Sequence, residues 1–88
     1  ISVCANEMPR ETARMVVHSL NGSFHFARKL HFRLLPLMEA NFMEASPAPC
    51  KFVMKEMGLL EENLRLPLVP VTSATRARLK EVIKLVKI

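Results

Sequence analysis

The chain has no Trp or Tyr and only two Gly among its 88 residues. Sandwiches and barrels draw on aromatic strands and glycine turns, so this shortage argues for helices. No stretch reaches the roughly 18 uninterrupted apolar residues that a membrane span needs, and the start lacks the cationic segment of a signal peptide. Cys4 and Cys50 have no CxxC spacing, and they are expected to be reduced packing thiols in a cytoplasmic setting. His18, His25 and His31 share no i,i+4 or HExxH spacing and no carboxylate cluster joins them, so no metal is expected. A pairing partner is lacking too. Ile1-Ser2-Val3-Cys4-Ala5-Asn6 reads as the end of a buried β-strand, and nothing else in the chain reads as a second strand. A lone strand cannot satisfy its own backbone N–H and C=O groups, so its partners are expected outside these residues and the chain is read as a fragment.

What is present is helical. Half the residues are hydrophobic and the formal net charge is +5; at this length a chain buries only about 60–65% of its unfolded surface, which leaves little margin. Asn6 is expected to cap a first helix with Pro9 in its opening turn, and the spacing of Ala13, Val16, Val17 and Leu20 carries it to Asn21-Gly22. Ser23 is expected to cap a second helix reaching about Glu44, kinked at Pro36. A short third helix begins near Pro47 or Pro49 and stops at Gly58. The prolines of Leu66-Pro67-Leu68-Val69-Pro70-Val71 force an extended segment. Thr72 or Ser73 caps the last helix, striped by Leu79, Val82, Ile83 and Val86.

The second helix is apolar around its whole circumference from Leu30 to Met43, which predicts burial on every side. Three short helices cannot cover it. If four or five such side chains went unburied at roughly 1.5–3 kcal/mol each, the deficit would match a domain's whole stability of about 5–15 kcal/mol. A partner is therefore expected, either the rest of a larger protein or another subunit.

Five motifs recur in order: Ile1-Ser2-Val3-Cys4-Ala5-Asn6, the Leu34-Leu35-Pro36-Leu37 helix, Phe42-Met43-Glu44-Ala45-Ser46-Pro47-Ala48-Pro49-Cys50-Lys51, Gly58-Leu59, and Leu64-Arg65-Leu66-Pro67-Leu68-Val69-Pro70. Together they resemble the C-terminal portion of the dihydrodipicolinate synthase and N-acetylneuraminate lyase family, over essentially the whole chain, and the Leu-Arg-Leu-Pro-Leu stretch favours the synthase branch. Where members often have Pro-Asn-Pro-Ile-Pro-Val-Lys, this chain has Ala45-Ser46-Pro47-Ala48-Pro49-Cys50-Lys51. The resemblance implies a mainly α piece of a (β/α)8 barrel, with residues 1–22 as the last strand and helix of the barrel and residues 23–88 as a C-terminal helical extension. It also implies a pyruvate-dependent Schiff-base reaction in the cytoplasm: condensation with aspartate semialdehyde toward lysine in the synthase branch, or an N-acetylneuraminate lyase-like or other 2-keto acid aldolase cleavage. Its partners would be the missing N-terminal barrel, pyruvate, and further copies in a homo-oligomer, either a dimer or a tetramer, with no cofactor.

The family's Schiff-base Lys and proton-relaying Tyr lie on earlier strands, so the chain itself is expected to carry no catalytic group. Lys51 belongs to the extension and is expected on a helix surface or in an inter-helix ion pair. Residues at the C-terminal end of a barrel strand face the active site, which makes Ser2 and Asn6 the candidates for its rim; Asn6 is otherwise explained as a helix cap. The six Met suit core filling or a plastic interface. One reading of another class stands beside these: an independent helical interaction module whose last helix presents Arg76, Lys80, Lys84 and Lys87 to an acidic groove. Membrane and nucleic-acid partners are not expected, since a solvated face is the commoner meaning of such charge and no aromatic interleaves it for base stacking.

Overall fold

A computed structural model describes residues 1–88 as five helices with connecting loops: α1 (Cys4–Glu7), α2 (Pro9–Leu20), α3 (Phe24–Ala40), α4 (Ala48–Glu56) and α5 (Ser73–Val86). The expected strand at Ile1–Val3 is not formed within this chain. Ile1 and Ser2 are exposed and extend from a turn that begins at Val3, whose carbonyl accepts from the Asn6 amide at 3.0 Å. A strand without a neighbour has no ladder to hold it, and local i,i+3 bonding takes over.

The expected single first helix is two. Pro9 disfavours helical geometry in the residue before it, and Met8 sits at φ −131°, ψ 67°, which separates the α1 turn from an α2 that has Pro9 in its first turn. Asn6 therefore does not cap α2. It lies inside α1, and its side-chain Nδ2 donates to the Val3 carbonyl at 3.1 Å. α3 runs through Pro36 and ends at Ala40, four residues short of the expected Glu44. Ser23 stands at its N-cap position without a side-chain capping bond.

Helices α2 and α4 end in the same way. Gly22 and Gly58 both take φ +76°. The residue after each closes a 6→1 bond, Ser23 N to His18 O at 2.8 Å and Leu59 N to Met54 O at 3.0 Å. These are Schellman closures, which favour glycine at the left-handed position. The segment from Leu66 to Val71 is extended or turned, as the prolines require, and Thr72 caps α5 by accepting from the Thr75 amide at 3.4 Å.

The core gathers Leu34, Leu37 and Ala40 of α3, Phe52 and Val53 of α4, and Leu79, Val82 and Val86 of α5, with Cys4 and Met8 closing one end. Arg33 Nη2 donates to the Val86 carbonyl at 3.2 Å and ties α5 to α3. The expected all-round burial of α3 is not met within the chain. Its helical neighbours take one side, while Phe24 and Phe32 remain 66% and 60% exposed. Apart from Thr12, α2 has no buried residue, so the α2/α3 hairpin forms an arm sheltered mainly by itself. The molecule is elongated, 42 × 22 × 21 Å.

Candidate functional site

Ser2 lines a hollow of about 450 Å³ together with Ile1, Val3, Cys4, Met38, Asn41 and Phe42. Asn6 is not among the lining residues, because its amide turns back to Val3. The hollow offers a hydroxyl and a carboxamide but no lysine, histidine or carboxylate. It can shape a ligand and donate a hydrogen bond to it from Ser2; it holds no lysine that could form an imine.

Behind the Asn41 wall lies a polar cluster that the sequence reading missed. Asn41 Nδ2 donates to Glu7 Oε2 at 2.8 Å, with Asn41 fully buried and Glu7 only 2% exposed. Burial pushes the Glu7 carboxyl up to about 7, against partial compensation from hydrogen bonds with Asn41 and Cys50. Burial likewise pushes the Cys50 thiol up to about 12, helped by the neighbouring Glu7. Cys4 is raised for the same first reason, while a hydrogen bond from Thr12 Oγ1 acts in the opposite direction. Both thiols are thereby held in the protonated, unreactive form, as packing residues would be. One signal could have revealed the cluster: Pro9 sets α1 apart from α2, so Glu7 closes its own turn and need not follow the polar face of α2.

A second polar station joins α5 to the rest. Glu44 Oε2 accepts from the Thr72 amide at 2.9 Å and from the Thr72 hydroxyl at 3.1 Å. Hydrogen bonding, foremost with the Thr75 hydroxyl and then with the Thr72 amide, holds the Glu44 carboxyl below its usual range. Arg76 grips Glu62 with two bonds of 3.0 and 2.8 Å, donates to the Val71 carbonyl, and lies 4.9 Å from the Phe52 ring centroid. It is thus withdrawn from the expected basic face, where Lys80, Lys84 and Lys87 remain exposed. Of the two expected placements of Lys51, a helix surface or an inter-helix ion pair, it takes the first, on α4 and without an ion pair. Its Nζ donates to the Asn63 carbonyl at 2.7 Å and pins the α4–α5 connection. The histidines sit against phenylalanines, His18 5.4 Å from Phe26 and His31 5.3 Å from Phe32.

The widest concavity is an apolar groove of about 620 Å³ on the hairpin arm, floored by Met15, Val16, Leu20, Phe24 and Phe32, with Arg28 among its polar residues. An apolar flank left uncovered marks a surface that further structure or a partner would cover. The chain belongs to the dihydrodipicolinate synthetase family, whose model matches residues 1–86, and it forms a helical C-terminal segment of that family's (β/α)8 architecture. Among curated relatives, it is 51% identical over 80 residues to the 4-hydroxy-tetrahydrodipicolinate synthase of Acidobacterium capsulatum and 46% identical over 82 residues to that of Koribacter versatilis. These alignments take in 91% and 93% of this chain but 26% and 27% of the relatives' own lengths. The crystal structure of the Thermotoga maritima dihydrodipicolinate synthase superposes with a TM-score of 0.95 at 37% identity, covering 99% of this chain and 30% of that one. A monomeric dihydrodipicolinate synthase variant also superposes at 0.95, with 36% identity.

Proposed function

We propose that this chain is the non-catalytic helical portion of a 4-hydroxy-tetrahydrodipicolinate synthase, which condenses pyruvate with aspartate semialdehyde through a Schiff base on a lysine outside residues 1–88. The observation that carries the reading is near-complete coverage of this chain at 51% identity by a protein of that name. In the whole enzyme the lysine amine attacks the pyruvate ketone, water leaves, and the resulting iminium draws off electron density so that the pyruvate methyl group can be deprotonated and attack the aldehyde. Residues 1–22 complete the barrel and residues 23–88 lie against it, with Ser2 and Asn6 at the rim of the catalytic mouth. The segment supplies packing and, in an assembled enzyme, subunit contacts. Its backbone arrangement agrees with that of a monomeric relative, so the reading does not require assembly to shape these helices.

Borohydride trapping with pyruvate tests the assignment. The full protein gains one reduced pyruvate adduct, and peptides from residues 1–88 stay unmodified. An adduct on Lys29, Lys51, Lys55, Lys80, Lys84 or Lys87 overturns the non-catalytic role, and no adduct anywhere in the full protein overturns the Schiff-base assignment.

A further inference from the structure

Two buried acceptor atoms have no donor, Glu7 Oε1 and Asn41 Oδ1, and they belong to the two side chains already joined by the 2.8 Å bond from Asn41 Nδ2 to Glu7 Oε2. Orphans at unrelated places would be separate penalties, each of a size proteins seldom tolerate. On one carboxyl–amide pair they call for a single proton. Placed on Oε1, that proton makes the carboxyl a donor, and the amide Oδ1 is an unpartnered acceptor on the residue already bonded to it. A carboxylic acid and a primary amide each bring one donor and one acceptor to such a ring.

The surroundings favour the neutral form. Glu7 takes part in no ion pair. From α1 it is faced by Cys4, from the end of α3 by Asn41, and from α4 by Cys50, whose thiol donates to Met54 Sδ at 3.9 Å; burial is what raises the carboxyl, and the polar neighbours Asn41 and Cys50 offset it only in part. Arg10 and Glu11 of α2 and Lys87 beyond α5 border a surface hollow with it, but neither cation reaches its carboxyl. Asn41 also lines the hollow that contains Ser2.

We infer that Glu7 is kept as a neutral carboxylic acid in a cyclic, two-hydrogen-bond pair with Asn41, and that this pair is a proton-operated clasp fastening the Ile1–Glu7 segment, and with it one wall of the Ser2 hollow, to the end of α3. Release of the proton to solvent turns acceptor against acceptor and leaves a buried charge with no cation, so the clasp opens. Glu7 is raised from 4.5 to about 7 in the folded protein. The stabilisation is therefore fully present below about 4.5 and is lost as pH rises through about 7. Over that interval the folded-to-open equilibrium of the clasp falls by roughly two orders of magnitude. The clasp does not depend on which reaction the whole protein performs.

The test uses the full protein labelled with ¹³C-glutamate, compared with Glu7→Gln, whose amide can close the same ring without a titrating proton. Difference infrared spectra are expected to show a protonated-carboxyl band below about pH 7 that is absent from the variant and converts to carboxylate above it. Hydrogen exchange at the amides of residues 4–8, taken as a wild-type to variant ratio, should accelerate at least tenfold across the same interval. Absence of the acid band below about pH 7, or an exchange ratio that stays constant with pH, overturns the clasp. Should Glu7→Gln fail to accumulate, a pH titration of a non-overlapping acid band in the wild type decides alone: titration near 7 supports the clasp, and titration in the ordinary carboxylate range refutes it.

Discussion

Glu7 and Asn41 stand 34 positions apart, and neither looks unusual in the sequence. Glu7 reads as an ordinary first-turn acid and Asn41 as a polar residue near a helix end. What makes them a site is the approach of α1 to the end of α3, a tertiary event that no local pattern announces. Ser2 lines a hollow near the chain's first residues, whereas the orientation of Asn6 depended on a turn that formed in place of a strand. Two residue-level outcomes follow. Asn41→Leu keeps the volume but leaves the Glu7 carboxyl without its amide, and should lower stability by about 1–3 kcal/mol in urea unfolding, with the loss greatest below about pH 7, where the clasp is closed. Arg76→Lys keeps the charge but gives up the two-pronged grip on Glu62. Because the pair is partly exposed, that loss should be modest, about 1 kcal/mol by the same measurement.

At the scale of elements the sequence was a good guide to boundaries marked by Gly or Pro and a poorer one to the break between α1 and α2, the end of α3 and the capping bonds. Gly22, Gly58 and the Leu66–Val71 prolines punctuate the chain through backbone sterics, which act wherever the residue stands. N-caps are contingent: Thr72 caps α5, Ser23 stands at the N-cap position of α3 without a side-chain capping bond, and Asn6 lies inside α1. Gly58→Ala must hold a Cβ at φ +76° and should cost about 1 kcal/mol, read as a shift in the denaturation midpoint. Thr72→Ala removes both the α5 cap and a donor to Glu44, and should cost roughly 1 kcal/mol or somewhat more. Glu44 gives this corner the opposite pH response to Glu7. Its carboxyl is held below the usual range, so its contribution is present above the ordinary carboxylate pKa and is lost as pH falls through the lowered one. A Glu44→Gln variant should flatten the acid limb of the stability profile and leave the neutral limb unchanged.

For the whole molecule, an apolar circumference on α3 foretold a need for company, and the structure shows where it is felt. The chain's own helices cover Leu34, Leu37 and Ala40, and the uncovered side is the hairpin arm with Leu20 81% exposed beside Phe24 and Phe32. Periodicity could say that a face must be buried; it could not say which elements would do it. The 88-residue chain produced alone should therefore self-associate, with a sedimentation coefficient that rises with concentration, and a Leu20→Lys, Phe24→Glu double variant should suppress that rise. A single, concentration-independent species in the unsubstituted chain would count against an unmet apolar face.

The same arm has a meaning for a cell as well as for a fold. Chaperones and proteases recognise exposed grease as the mark of unfinished work. A copy of this segment made without its complement would carry that mark permanently and should be cleared faster than one whose arm is covered.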